Sequence, residues 1–376
     1  MGKRVYRKKR RKGRIDGVLL GVTAILIIIG IIMVFSSSAI VAEERYRNMY
    51  FFVFRQVIWA VMGAAALGAG LLAEPRKISA LSRPAIFISL LLLIAVLIPF
   101  IGHTVGGARR WIRMGPVGFQ PAEFSKIAVV LYMASVLDRK FTKVGSFSRD
   151  IVPPLLIVLI TAALIYKQPD FGTAALILVI AGIMLFLGGA RIKHLAISGG
   201  IFILAAAYAL LSYGYRRDRL LTFLRPFESM YGSGFQLSQS LTALGAGGIS
   251  GVGLGAGYHK LFFLPEVHTD FVFSVLGQET GFIGAILVVF LFIVFTLRGM
   301  RIALRHSDYL SRITAAGLTL LISLQAVINI GVVTGTLPTK GLSLPFISFG
   351  GSSLFFNMFA VGVLLNLSRG VKDRAG

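Results

Sequence analysis

GVLLGVTAILIIIGIIMVF, residues 17–35, is a run of nineteen residues without a charge. At 1.5 Å of rise per residue, such a run is long enough to cross a hydrocarbon core of roughly 30 Å as a helix. Its approach is as informative as its content, because nine of the 39 Lys and Arg residues in the 376-residue chain lie between Lys3 and Arg14. A basic tail before an apolar run also introduces signal peptides, but no small-residue cleavage pattern follows, so the segment reads as a retained anchor. The tail, residues 1–16, is then expected on the cytoplasmic side, touching anionic lipid headgroups.

Working outward, the same composition recurs. The chain is 56% hydrophobic and 14% charged, with a mean hydropathy of +0.82, outside the usual range of water-soluble domains. The runs are continuous rather than alternating, which favours helices over a barrel. About ten spans are predicted, at 17–36, 51–73, 82–101, 121–138, 151–167, 171–188, 193–212, 270–297, 309–335 and 350–368. The expectation is an all-α polytopic membrane protein, one membrane domain over 1–376. Zero cysteines exclude disulfides, thiolate catalysis and cysteine-ligated metal.

The formal net charge of +24 would suit nucleic acid, but its placement argues for lipid and against nucleic acid as the partner. With the N-terminus inside, the connections carrying Arg76 and Lys77, Arg139 to Arg149, Arg191, Arg298 to Arg305, and the tail 369–376 all fall on the cytoplasmic side. Every one is basic, as the positive-inside rule requires. The long connection 213–269 between spans 7 and 8 then lies outside.

That topology collects the unusual segments on the outer side. GARRWIRMGPVGFQPAEFSK (107–126) joins spans 3 and 4, YKQPDFGT (166–173) joins 5 and 6, PEVHTDF (265–271) enters span 8, and LPTKGLSLPFISFGGSS (337–353) enters span 10. Four such segments on one face suggest a single site. Arg109, Arg110 and Arg113 flank Trp111; guanidinium groups bind phosphate oxygens bidentately and suit a pyrophosphate, although interfacial anchoring by Trp111 and snorkelling arginines explains them too. Gln120-Pro121 reads as a helix start that puts Glu123 and Lys126 on one face, as a site pair or a structural salt bridge. Asp170 precedes an apolar run at a helix-capping position, and the pair Thr269-Asp270 precedes another, where a carboxylate is held ionised by the helix dipole. Asp270 keeps company with Glu266, His268, Gln278 and Glu279, and a carboxylate beside arginines can take a proton from an alcohol while the cations neutralise a leaving pyrophosphate. The glycines of 247–257 have GxGxxG-like spacing without the strand-to-helix context of a dinucleotide site; they are expected to make the loop mobile or let a short helix pack closely. No HExxH is present; a divalent ion bridging pyrophosphate to a carboxylate stays open as the sole cofactor.

At these motifs the chain resembles the SEDS family (shape, elongation, division and sporulation), with its FtsW, RodA and SpoVE branches. GARRWI with QPAEFSK, KQPDFGTA, PEVHTDFVFSVLGQETGFIG and LPTKGLSLPFISFGGSS carry the resemblance, and LPTKG looks more like the FtsW and SpoVE branch. The resemblance implies a SEDS-type fold and a peptidoglycan glycosyltransferase of the plasma membrane. That enzyme polymerises lipid II at the outer leaflet with a class B penicillin-binding protein, among other division or sporulation proteins. It implies Asp270 as the catalytic residue, and Arg109, Arg110, Glu123, Lys126 and Asp170, with the motif residues His268 and Lys340, as substrate contacts. Gln278 departs from relatives that carry Glu there. A lipid II transporter and a non-enzymatic scaffold for the transpeptidase are the competing expectations.

Overall fold

Nineteen apolar residues would end the first helix near residue 36, yet α1 runs from Gly17 to Tyr46. The serines that follow do not break it, because Ser37 and Ser38 return their hydroxyls to the carbonyls of Met33 and Val34 one turn back. Asp16 opens the helix, its carboxylate accepting from the Leu19 N–H, and Arg47 closes it in the left-handed region with its N–H on Glu43 O.

The computed structural model describes residues 13–105, 107–114, 117–140, 151–190, 192–193, 196, 199–200, 234–257, 269–338 and 341–371. Most of the expected span 193–212 and most of the connection 213–269 therefore lie outside the described residues. After α1 come α2 (Phe51–Leu72) and α3 (Pro75–Ala95), then strands β1 (Gly102–Val105), β2 (Ala108–Met114) and β3 (Val117–Phe119). Helices α4 (Pro121–Lys140), α5 (Val152–Lys167), α6 (Phe171–Leu187), α7 (Phe235–Gly247), α8 (Val272–Arg305), α9 (Tyr309–Val333) and α10 (Gly351–Ser368) complete the order. Among the described residues six helices are long and apolar enough to span a membrane, and α5 and α6 are shorter apolar helices, so the chain is a multi-pass membrane protein. α3 begins seven residues before the expected 82, because Pro75 sits at the first helical position, where its missing N–H costs nothing.

α4 is the least apolar of the expected spans and the most enclosed: nearly every residue from Ala122 to Leu137 is buried. Its polar side chains face protein rather than lipid, which is where a membrane protein can keep them. It packs mainly against α3, α6 and α9; α9 and α10 are largely buried as well, whereas α2 and α3 present much of their surface outward. α2 and α10 approach closely through small residues: a Cβ on Gly70 would meet the Phe359 carbonyl, and one on Gly362 the Leu67 carbonyl. Such small-residue contacts are how helices associate where lipid competes with every apolar side chain.

The connection between α3 and α4 is a three-stranded antiparallel sheet in the order β1-β2-β3, with a register shift between His103 and Thr104. It adds strands to a fold otherwise made of helices. Alternation along β2 sends adjacent arginines to opposite faces.

α8 is 34 residues long and is interrupted at Gly281, whose backbone (φ 68°, ψ −167°) is open only to glycine. A break in a helix orphans carbonyls before it and N–H groups after it, and those groups must be satisfied. The segment after α7 does both. Val252 and Gly253 donate their N–H groups to Gln278 O (3.1 Å) and Glu279 O (3.0 Å), while Phe282 and Ile283 donate to Gly248 O (2.9 Å) and Ile249 O (3.3 Å). The glycines of 247–257 thus serve close packing: a Cβ on Gly247 would strike Gly277 O. Just before the break the Ser36 hydroxyl donates to Glu279 at 2.6 Å, tying α8 to α1. Gly281→Ala is expected to destabilise by at least about 1–3 kcal/mol from backbone strain alone, since its Cβ would also meet Gly251 N and Ile249 O. Gly182→Ala in α6, where nothing lies within 4 Å of the new Cβ, is expected to leave thermal unfolding in detergent unchanged or slightly raised.

At the far end of the bundle Asp16 pairs with Arg298 (2.7 Å) and donates its N–H to the Ser368 hydroxyl, and Gly13 N–H reaches Arg369 O. Asn366 donates to the Leu71 and Ala73 carbonyls at the end of α2. This end therefore gathers the chain before α1, the α2–α3 turn with Arg76 and Lys77, Arg298, and the end of α10.

Candidate functional site

Four helices begin at the opposite end around one cavity of about 260 Å³. Gln120 precedes Pro121 of α4, Asp170 is the N-cap of α6, Thr269 and Asp270 precede α8, and Gly350 is the N-cap of α10; all five line the cavity. Each helix start carries roughly half a positive elementary charge from its aligned peptide dipoles, so the cavity is cationic before any side chain is counted. Arg110 and Trp111 of β2 form one wall, and Gly341, Leu342 and Ser343 another.

The carboxylates are placed by their helices. Asp170 accepts from the Thr173 N–H at 3.1 Å and from the Thr173 hydroxyl at 3.0 Å, so it caps α6 as well as lining the cavity. It stands in the turn before that helix, where burial pushes its carboxyl above the usual carboxylate range against the pull of Arg110 and the Thr173 hydrogen bonds. Arg110 clamps the turn itself, with Nε donating to Gln168 O (2.9 Å) and Nη2 to Pro169 O (2.6 Å). Asp270 stands one residue before the N-cap of α8, which is Phe271. Its carboxylate rests on Gly341: a Cβ there would come within 2.6 Å of Asp270 Oδ2.

Glu123 lines the cavity and pairs with Lys126 at 2.8 Å, one turn further into α4. Lys126 is 2% exposed and does not line the cavity; its Nζ also donates to Gln325 Oε1 at 2.6 Å. The pair is thus a buried salt bridge with one member facing the cavity. Arg109 is turned away by strand alternation and donates from Nη1 to Leu97 O at 3.2 Å. The cavity brings the expected catalytic residue Asp270 together with Asp170, Glu123 and Arg110 of the expected substrate contacts, with Lys126 as a support below them and Arg109 outside. His268 and Lys340 lie outside the described residues. Among the described residues no three His, Asp or Glu side chains are grouped to hold a metal ion.

Two further residues belong to the site that the sequence motifs do not single out. Gln325 and Asn329 of α9 are 0% and 1% exposed. Gln325 Nε2 donates to Ser343 O (2.8 Å), and Asn329 Nδ2 donates to Asp270 O (2.8 Å) and Leu342 O (2.5 Å). The signal was present, since two amides four residues apart in an apolar span lie on one face and must find partners there.

With this geometry in hand, the chain can be compared with known proteins. The sequence pattern of the family described as "cell cycle protein" and named for FtsW, RodA and SpoVE matches residues 17–373. A probable peptidoglycan glycosyltransferase FtsW of Trichlorobacter lovleyi is 42% identical over 98% of this chain and 97% of its own. The stage V sporulation protein E of Bacillus subtilis is 42% identical over 94% of this chain and 97% of its own. Among solved structures, a chain of a peptidoglycan synthase complex that coordinates polymerization and crosslinking superposes with a TM-score of 0.77 at 30% identity, covering 94% of this chain and 98% of that one. The rod shape determining protein RodA of Thermus thermophilus gives 0.70 at 28% identity, covering 96% and 98%.

Proposed function

Because the chain belongs to the FtsW, RodA and SpoVE family of cell cycle proteins, we propose that the cavity where its four helices begin is the site of glycan polymerisation. The protein is a membrane-embedded peptidoglycan glycosyltransferase of cell-wall synthesis, with relatives in both the division and the sporulation branches. Its substrate on this reading is lipid II, whose reacting sugar is α-linked to undecaprenyl pyrophosphate. The observation that carries the reading is the meeting of Asp270, Asp170, Glu123 and Arg110 in one cavity ringed by helix N-termini.

A β-1,4 product from an α-linked donor requires inversion at C1, and one in-line displacement achieves it without a covalent enzyme intermediate. Asp270 accepts the proton from the acceptor 4-hydroxyl as O4 bonds to C1. The C1–O bond to phosphate breaks, and its electron pair leaves with the pyrophosphate. Negative charge grows on that leaving group in the transition state, and the helix N-termini with Arg110 are already oriented to receive it, which is where fixed dipoles accelerate most. Lys126 compensates Glu123, so that a third carboxylate at the cavity wall does not repel the pyrophosphate.

The bundle end holding Asp16, Arg298 and Arg369 is basic, and the positive-inside rule assigns it to the cytoplasm. Both termini then lie inside and the cavity opens outside, where the polymer is needed. Similarity to a chain of a synthase complex supports a class B penicillin-binding protein as the partner that cross-links the strands. Lining residues drawn from one end of the bundle favour transfer over a transport path, which needs access from both faces. The test is product analysis: purified protein with labelled lipid II is expected to release undecaprenyl pyrophosphate and strands that a muramidase cleaves. Strands resistant to a β-1,4 muramidase would refute the inverting route.

A further inference from the structure

We propose that Gln325 and Asn329 are positioning residues that hold Asp270 and the 341–343 wall of the cavity in one register. The proposal rests on Asp270 serving as the base. The orientation of both amides follows from their partners. Lys126 Nζ only donates and Ser343 O only accepts, so Gln325 must turn Oε1 to the lysine and Nε2 to the carbonyl. Asp270 O and Leu342 O both only accept, so Asn329 must present its NH2 group to the two of them. Asn329 thereby joins the backbone of the base to the loop against which its carboxylate rests at Gly341. Gln325, one helical turn away, joins the next residue of that loop to the Glu123–Lys126 pair.

The consequence is a pair of buried amides on α9 that ties together three parts of the cavity wall: α4, the start of α8 and the loop before α10. Its bonds all run between groups of the protein. What it sets is the distance between the base and the rest of the wall, and a displacement of about 1 Å at a reacting group can cost on the order of 10²-fold in rate.

Asn329→Ser removes the double donor, and Gln325→Met removes both the bond to Ser343 and the acceptor for Lys126 while filling a similar volume. In the purified full chain with lipid II, each is expected to lower kcat at least tenfold with KM changed less than about twofold. Amide exchange across 341–343 is expected to quicken, and in Asn329→Ser the acid limb of the kcat/KM profile is expected to move. The charged and titratable groups that share the cavity with Asp270 are Glu123 of α4, with Lys126 behind it, Asp170 before α6 and Arg110 of β2. If activity falls only in proportion to folded protein, with exchange and the acid limb unmoved, the residues are structural alone and the proposal is overturned; failure of both variants to fold has the same meaning. Asp270→Glu in the same assay separates the two claims. An acid limb that it leaves in place refutes Asp270 as the base, whereas a limb that moves with Asp270→Glu and stays with Asn329→Ser refutes only the positioning.

Discussion

Asp270→Asn is expected to lower the rate of glycan polymerisation by about 10²- to 10⁴-fold, the usual yield of a positioned general base. The change is nearly isosteric. It keeps the backbone carbonyl that accepts from Asn329 and the side-chain volume against Gly341, so the loss is expected in kcat, with the protein folded and lipid II still bound. What disappears is the ability to take the acceptor's proton, because an amide oxygen does not hold a proton at neutral pH. Initial rates with labelled lipid II, together with binding of the unpolymerised substrate, measure both halves. A variant polymerising at the wild-type rate would remove Asp270 from the mechanism; one that no longer binds lipid II would make it a substrate contact instead.

Lys126→Met carries the largest expected effect on stability. The ammonium group lies 2.8 Å from Glu123 and 2.6 Å from Gln325, and the side chains of the ion pair are 1% and 7% exposed. Removing one member of such a pair strands the other as an uncompensated buried charge, which costs about 3–5 kcal/mol. Joint replacement, Glu123→Gln with Lys126→Met, leaves no charge to strand and is expected to recover most of that loss in thermal unfolding. The recovered protein separates the two roles weighed for this pair. If its activity returns with its stability, the pair is a structural salt bridge; activity that stays low in a stable protein assigns Glu123 to the reaction.

Much of the site was legible because polar residues interrupt apolar spans, where each must be partnered or functional. Glu123 and Lys126, one turn apart, stand out on that ground, and Asp170 and Asp270 stand out as carboxylates at the starts of apolar runs; the structure places each at or under one cavity. Other features depend on partners far away in sequence. Gly281 lies inside what reads as a continuous span, and only the exchange of four hydrogen bonds with 248–253 makes a break there tolerable. The separation of Arg109 from Arg110 follows from strand alternation, and a connection dense in arginine and glycine gives no alternating apolar pattern from which a strand could be read. Gln325 and Asn329 carry no charge, and an amide in a span looks unremarkable until the carbonyls it serves are known.

On this reading the cavity end transfers sugars rather than moving lipid. Proteoliposomes holding the wild-type protein in one orientation, with labelled lipid II confined to one leaflet at a time, test it directly. Glycan strands and undecaprenyl pyrophosphate are expected when the substrate shares the leaflet of the Asp270 end, with none when it is confined to the leaflet of the Arg298 end. Passage of intact lipid II from one leaflet to the other, without any strand formed, would contradict the account.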